Sequence, residues 1–391
     1  MAETLSPREM LARLVGFPTV SRDSNLALVD FVEAFLQGLG VTTRRVPSAD
    51  GRKANLYAVI GPQVPGGVVL SGHTDVVPVD GQDWSADPFT LVERDGKLFG
   101  RGAVDMKGFV ALCLAAVPKM LAAPLARPIV IALSYDEEVG HLGVDDMIRE
   151  MDARLPPPAA VFVGEPTMMQ VVSQHKAGLG LRTHVRGFEV HSSRLHTGVS
   201  AITEAARLVL WHAEMTEKNL AEARALGPDA PGALFDPPCT TLHNGLIEGG
   251  TAVNITAKDC RFTSDIRVLP TEDPADWLAR YRELCAQAEA RMQTVHPETG
   301  IDIEVPFNAP GCRREEGSAA EVLARALTGD NAEHAVPYGT EAGNFQRAGH
   351  SVVVIGPGSI DQAHQPDEYI TVEQFEAGAA FIDRLIARLC E

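Results

Sequence analysis

Basic residues are in short supply, with 34 Lys and Arg against 52 Asp and Glu in 391 residues, a formal net charge of −18. A surface of that sign repels nucleic acid and anionic membranes, which leaves a small molecule as the expected partner. Cysteine is sparse too. The six, at 113, 239, 260, 285, 312 and 390, show neither paired metal-ligand spacing nor a dense disulfide framework, and a reducing compartment is expected. The N-terminus lacks a basic segment followed by an apolar one, and no apolar stretch approaches the ~20 residues that span a bilayer. A cytoplasmic chain is expected. The remaining composition is ordinary, with 45% hydrophobic and 22% charged residues, and the length suffices to bury a core without a disulfide or a structural metal. Any metal is therefore expected to be catalytic.

Periodicity divides the chain. Ser6-Pro7-Arg8-Glu9 is a capping box with proline at the first helical position, and Met10, Leu11, Leu14 and Val15 follow at helical spacing. To about residue 175 apolar strands alternate with helical patterns: the run ending at Leu70, a helix over Gly108 to Leu121, a strand at Ile129, a helix near Val144 to Met151, and a strand at Val161. Such alternation predicts an α/β fold with a mainly parallel sheet covered by helices on both faces. After Lys176 the pattern changes. Leu179, Leu181, Thr183 and Val185 alternate along one strand face, a long helix starts near Val199, strands are expected near Asn254 to Thr256 and Cys260 to Arg267, and Trp277 to Ala288 repeat at helical period. The expected organisation is a first segment at 1–178, an inserted α+β domain at 179–306 and a second segment at 307–391.

Chemistry gathers after the apolar runs. His73 follows Val68 to Ser71, Glu137 and Glu138 follow Ile129 to Ser134, Glu165 follows Val161 to Val163, and His364 comes after Val352 to Ile355. In open α/β sheets ligands bind beyond the carboxyl ends of the parallel strands, so these residues are expected to converge. Asp75, two residues from His73, is placed to hold the other ring nitrogen of a ligating histidine. Asp105 precedes a helix in Gly-Arg-Gly-Ala-Val-Asp-Met-Lys-Gly, where it occupies the third glycine position of a dinucleotide fingerprint and so argues against that motif. Adjacent Glu137 and Glu138 point in different directions on extended chain, letting one bind metal while the other faces water. Singly, each residue has a bland reading: a strand-end histidine, a solvated acidic loop, a helix-start acid. Together, two histidines and three carboxylates suit two zinc-type ions sharing a carboxylate about 3.5–4 Å apart, and suit calcium or magnesium poorly.

The ordered set GHTDVVP, GAVDMKG, DEEVG, GEPT and AHQPDEY resembles the dinuclear zinc family of acetylornithine deacetylase, succinyl-diaminopimelate desuccinylase, aminoacylase and related carboxypeptidases. The resemblance implies a zinc exopeptidase-like catalytic domain with an inserted ferredoxin-like lid and dimerisation domain. It implies that His73, Asp105 and Glu165 hold one Zn2+, and Asp105, Glu138 and His364 the other, with Co2+ as a substitute ion. Glu137 would be the general acid/base acting on a metal-bridged water, with Asp75 supporting His73 and a cis peptide after Asp105. In the lid, His191 would stabilise the oxyanion, often from the partner subunit of a homodimer, while Asn254 and Arg267 would contact substrate. The residues alone give these three only as surface or turn positions, with Arg267 a plain salt-bridge partner. Gly-Thr-Glu-Ala at 339–342 and the AHQPDEY stretch lie nearest the acetylornithine-hydrolysing branch, although Gly339 stands where cysteine is usual there. N2-acetyl-L-ornithine is the first expected substrate, with Glu341 the candidate partner of its side-chain ammonium by charge alone. A broader N-acyl-amino acid amidohydrolase, a desuccinylase or a dipeptidase is the alternative, and a non-catalytic binding protein on the same fold is the alternative of another class.

Overall fold

The computed structural model describes residues 4–391, so residues 1–3 of the first expected segment lie outside it. The chain separates into two compact units. Among the described residues, one comprises 4–174, Cys312–His334 and Thr340–Glu391, and the other His175–Gly311 with Ala335–Gly339. These limits fall a few residues from 178 and 307, and the return of 335–339 to the second unit leaves no periodicity in the sequence.

The main sheet has eight strands in the order Thr43–Pro47, Ala54–Ile60, Ile129–Ser134, Val68–His73, Ala160–Val163, Val352–Val354, Val172–His175 and His334–Val336. The four from Ile129–Ser134 to Val352–Val354 run parallel, whereas Thr43–Pro47 pairs antiparallel with Ala54–Ile60, which pairs antiparallel with Ile129–Ser134. Every residue of those four parallel strands is buried, as befits β-branched and aliphatic runs covered on both faces. Fully burying a valine, leucine or isoleucine contributes about 1.5–3 kcal/mol, so these runs have one favourable location.

Helix ends follow local chemistry. The Ser6–Glu9 capping box starts Pro7–Val15 as expected. The helix expected over 108–121 is two, Lys107–Ala115 and Val117–Ala122, separated at Ala116 two residues before Pro118, whose ring cannot continue a regular helical ladder. Gly164 and Gly356 allow two strand-end loops to cross closely: a Cβ on Gly164 would lie 2.0 Å from the Phe109 ring, and one on Gly356 2.1 Å from the Gly164 carbonyl oxygen.

The second unit has a five-stranded antiparallel sheet, in which Thr241–His243, Asp259–Val268, Ala177–Arg186 and Gly300–Ala309 run in that order and Ile247–Gly249 pairs beside Asp259–Val268. Helices Ala201–Leu226 and Pro274–Gln293 are capped by Ser200 and Asp273. Leu179, Leu181, Val185, Phe262 and Ile266 form its core with Leu208, Trp277 and Tyr281. The strand expected near Asn254 to Thr256 is only an isolated bridge between Ile255 and His191, because the preceding Gly249-Gly250 carries a positive φ at Gly250 that turns the chain out of the sheet. Among the described residues no helix is long and apolar enough to cross a membrane.

Candidate active site

Four parallel strands deliver their carboxyl ends to one edge of the main sheet, and the titratable side chains gather there. His73 is the last residue of its strand and is 1% exposed. Its Nε2 lies 3.0 Å from Asp105 Oδ1 and 3.6 Å from Glu165 Oε1. The second oxygen of Asp105, Oδ2, lies 3.2 Å from Nε2 of His364, and that nitrogen is 3.1 Å from Glu138 Oε2. Asp105 thus divides its two oxygens between the two histidines. Two overlapping trios, His73–Glu137–Glu165 and His73–Asp105–Glu138, each hold their ligand atoms within 4.8 Å of one another.

The turn carrying Asp105 is fixed from behind. Glu368 Oε1 accepts the backbone N–H of Val104 at 3.0 Å and of Asp105 at 3.2 Å, while Oε2 takes Arg101 Nη1 at 2.7 Å. Arg101 and Glu368 are both 1% exposed. The Asp105–Met106 peptide is cis, as the resemblance implied. His364, with φ 62°, sits in a loop latched by its own carbonyl, which accepts from Gln82 Nε2, and by Asp367, which accepts from the Ser85 backbone.

Asp75 corrects one expectation. The Nδ1 of His73 bonds at 2.9 Å to the main-chain oxygen of Asp75, and its carboxylate is farther away, at 3.6 Å. That carboxylate instead accepts the backbone N–H groups of Glu137 at 3.2 Å and Glu138 at 3.3 Å, and the Ser21 hydroxyl at 2.7 Å. Two residues along an extended chain share a face, but that places both the carbonyl and the carboxylate within reach, and periodicity does not choose between them.

Electrostatics test whether cations fit. Burial pushes Glu138 up to about 8, with the charge of Asp105 adding to it. Glu165 rises well above the usual carboxylate range for the same two reasons. Hydrogen bonds to Asp105 and Glu138 hold His364 up at about 10. Burial opposes charge on His73, yet Asp105 and the neighbouring glutamates outweigh it and keep its pKa well above the ordinary value. Asp105 itself is held low against burial by the two histidines. The cluster without ions therefore takes up protons to offset crowded negative charge, and divalent cations would replace them. Among the described residues, buried Glu165 Oε1 has no hydrogen-bond partner, which points the same way. Imidazole and carboxylate donors fit zinc-type ions.

Several neighbours escaped the sequence reading. His141 Nε2 is 3.1 Å from Glu137 Oε1, and Lys53 pairs with Asp136. Only the i, i+4 spacing of Glu137 and His141 was available as a signal. Burial, with the charge of Glu137, raises the nearby Glu341 to about 7, and its Oε1 lacks a hydrogen-bond partner among the described residues. The remaining expected residues lie in the second unit. The exposed His191 bonds through Nδ1 to the Ser193 hydroxyl at 2.8 Å, and the backbone N–H of Ser192, the residue after His191, donates to the Asn254 carbonyl. Arg267 pairs with Asp265 at 3.0 Å on strand Asp259–Val268.

Residues 69–388 match the profile of Peptidase family M20/M25/M40. The chain belongs to the M20 family. It is 33% identical to an acetylornithine deacetylase of Pasteurella multocida, over 98% of this chain and 97% of that protein. An M20 family metallo-carboxypeptidase of Sulfolobus solfataricus has the same fold, with a TM-score of 0.78 at 17% identity over 98% of this chain and 99% of the other. A Bacillus subtilis protein described as a dinuclear metal-binding M20 peptidase superposes with a TM-score of 0.63 at 13% identity, covering 98% of this chain and 97% of that one. This M20 protein is a metal-dependent amidohydrolase.

Proposed function

We propose that the chain hydrolyses N2-acetyl-L-ornithine to acetate and L-ornithine with two zinc ions. The observation that carries this reading is Asp105, whose oxygens reach separately toward His73 and His364 while Glu137, beside the ligand Glu138, keeps a partner of its own in His141. In this reading His73, Asp105 and Glu165 hold one ion, and Asp105, Glu138 and His364 the other. Although Glu137 belongs to one of the ion-sized trios, the 3.0 Å approach of Asp105 to His73 favours Asp105 as the ligand. Bound there, the ions would polarise the scissile carbonyl and make water more acidic.

Glu137 does the proton work. Burial raises its carboxyl, but the charge and hydrogen bond of His141 together with the charge of His73 outweigh that and leave it below the usual value, ionised and able to take a proton. It removes the proton from the attacking water as the new C–O bond forms, then returns it to the amine nitrogen as the C–N bond breaks, so nothing beyond water is consumed. Asp75 holds the backbone of Glu137 and Glu138 in place for this. Glu341, with its unpartnered oxygen, is assigned to the substrate's side-chain ammonium. His191 is assigned to the oxyanion, and Asn254 and Arg267 to the substrate, in a homodimer joined through the second unit.

A broader N-acyl-amino acid amidohydrolase or dipeptidase would keep this centre and change the pocket, since chemistry and specificity reside in different residues. The test is kcat/KM for N2-acetyl-L-ornithine, N-succinyl-diaminopimelate, other N-acetyl amino acids and a dipeptide, with zinc-loaded and chelated enzyme. Preference for acetylornithine, lost on chelation, is expected. A higher value for another member refutes the substrate and keeps the mechanism.

A further inference from the structure

His141 is 7% exposed and makes contacts on both ring nitrogens. Its Nδ1 is 2.9 Å from Asn344 Oδ1, and its Nε2 is 3.1 Å from Glu137 Oε1. The orientation of Asn344 follows from its other contact. Its amide nitrogen donates to Asp145 Oδ1 at 2.9 Å, and Asp145 Oδ2 takes Arg347 Nη2 at 2.6 Å. A carboxylate bonded to arginine only accepts, so the Asn344 nitrogen must face Asp145 and its oxygen must face His141. An amide oxygen also only accepts. The proton on that side of the ring is therefore on Nδ1, and Nε2 is left for Glu137.

A bond between Nε2 and Oε1 then requires one proton, carried either by the imidazole as donor to a carboxylate or by the carboxyl as donor to a neutral ring. Both arrangements commit the same oxygen of Glu137. The backbone supports this: the His141 N–H donates to the Glu137 carbonyl at 3.1 Å, and φ of 60° at His141 folds the loop back on itself. The charge of Glu341 also acts on the ring.

Resting on the reading of Glu137 as the general acid/base, we propose that His141 is its positioning residue. Held by the line Asn344–Asp145–Arg347, it anchors Oε1 and so leaves the other oxygen to face the reacting water. A catalytic carboxylate loosened by even 1 Å loses rate steeply, so the anchoring bears on turnover rather than on substrate affinity. Apart from its spacing from Glu137, nothing in DEEVGH distinguishes this histidine from a loop residue, because Asn344 is 203 positions away.

The test uses zinc-loaded full chain and the panel substrate turned over fastest. His141→Asn suits the left-handed backbone at 141, where asparagine is tolerated, but is too short to bridge Glu137 and Asn344. We expect kcat to fall about 10–100-fold, consistent with the loss of order 10² that a misplaced group causes, with KM and bound zinc unchanged. Free imidazole should restore part of the rate, and His141→Gln, whose amide can still donate to Glu137, should lose less. Asn344→Leu should lower kcat alone but add nothing to His141→Asn, because both act through one bond. If His141→Asn does not fold, Asn344→Leu carries the test through the same split of kcat from KM. Glu137→Gln is the control: substantial activity in that variant overturns the acid/base reading itself. Loss of activity in Glu137→Gln with unchanged kcat in His141→Asn or Asn344→Leu overturns the positioning role alone. Lowered kcat that imidazole does not restore, with zinc lost, also overturns it.

Discussion

Glu368 supports Asp105 entirely from below the site, and its removal has a size that the structure sets. Its carboxylate is 1% exposed, pairs with the equally buried Arg101 at 2.7 Å, and accepts two backbone N–H groups of the turn that presents Asp105. Burial raises its pKa despite Arg101, so the charge persists only because these partners offset its desolvation. Glu368→Ala leaves the guanidinium buried without its counter-charge, which costs about 3–5 kcal/mol. It also orphans two donors worth about 1–3 kcal/mol each, a contribution that does not simply add within one network. Glu368→Gln keeps one acceptor oxygen for either Arg101 or the turn, so about half the loss of the alanine variant is expected. The assay is urea unfolding of the metal-free protein followed by tryptophan fluorescence in a Trp211→Phe, Trp277→Phe background, which leaves Trp84, whose ring lies 5.0 Å from the Arg101 guanidinium. In parallel, zinc affinity by chelator competition should drop about 10–100-fold, as it does when a partner behind a ligand is lost. A stability change below about 1 kcal/mol for Glu368→Ala, smaller than one ordinary buried hydrogen bond, would refute the reasoning. So would unaltered zinc affinity.

His212 in the second unit predicts a pH dependence. It is fully buried against Trp211 and Tyr281, and burial lowers its pKa from 6.5 to about 4. The folded value lies below the unfolded one, so its stabilising contribution is complete above about pH 6.5 and is lost as pH falls toward 4, by about 3 kcal/mol in all. His212→Phe should flatten the stability profile in that window, and an unchanged slope would contradict the burial argument. Asp75→Ala should lower kcat through the freed backbone of Glu137 and Glu138 while Ser21 loses its shorter hydrogen bond; crystallography should show the 137–138 loop displaced, and an unmoved loop with normal kcat would count against Asp75 as its anchor.

The positions legible in the sequence are those whose signal is local. Ile129 to Ser134 is too apolar to lie anywhere but inside, so Glu137 must emerge at that strand's end, and the same holds for His73 after Val68 and Glu165 after Val161. The four strands being parallel puts those ends together. What stayed hidden are partners joined only by the fold. Arg101 and Glu368 are 267 positions apart and His141 and Asn344 203, and no periodicity couples them. Asp75 shows the middle case: its nearness to His73 was legible, but which of its oxygens does the work depends on where the 137–138 backbone arrives.

The most direct measurement is the zinc stoichiometry of the purified chain, by titration of metal-free protein, for wild type, Glu137→Gln and Asp105→Asn. Two ions are expected in wild type and in Glu137→Gln, the latter without turnover, and fewer than two in Asp105→Asn, whose amide nitrogen cannot ligate. One ion in wild type, or loss of an ion in Glu137→Gln, would contradict the assignment of Asp105 as a shared ligand and of Glu137 as no ligand.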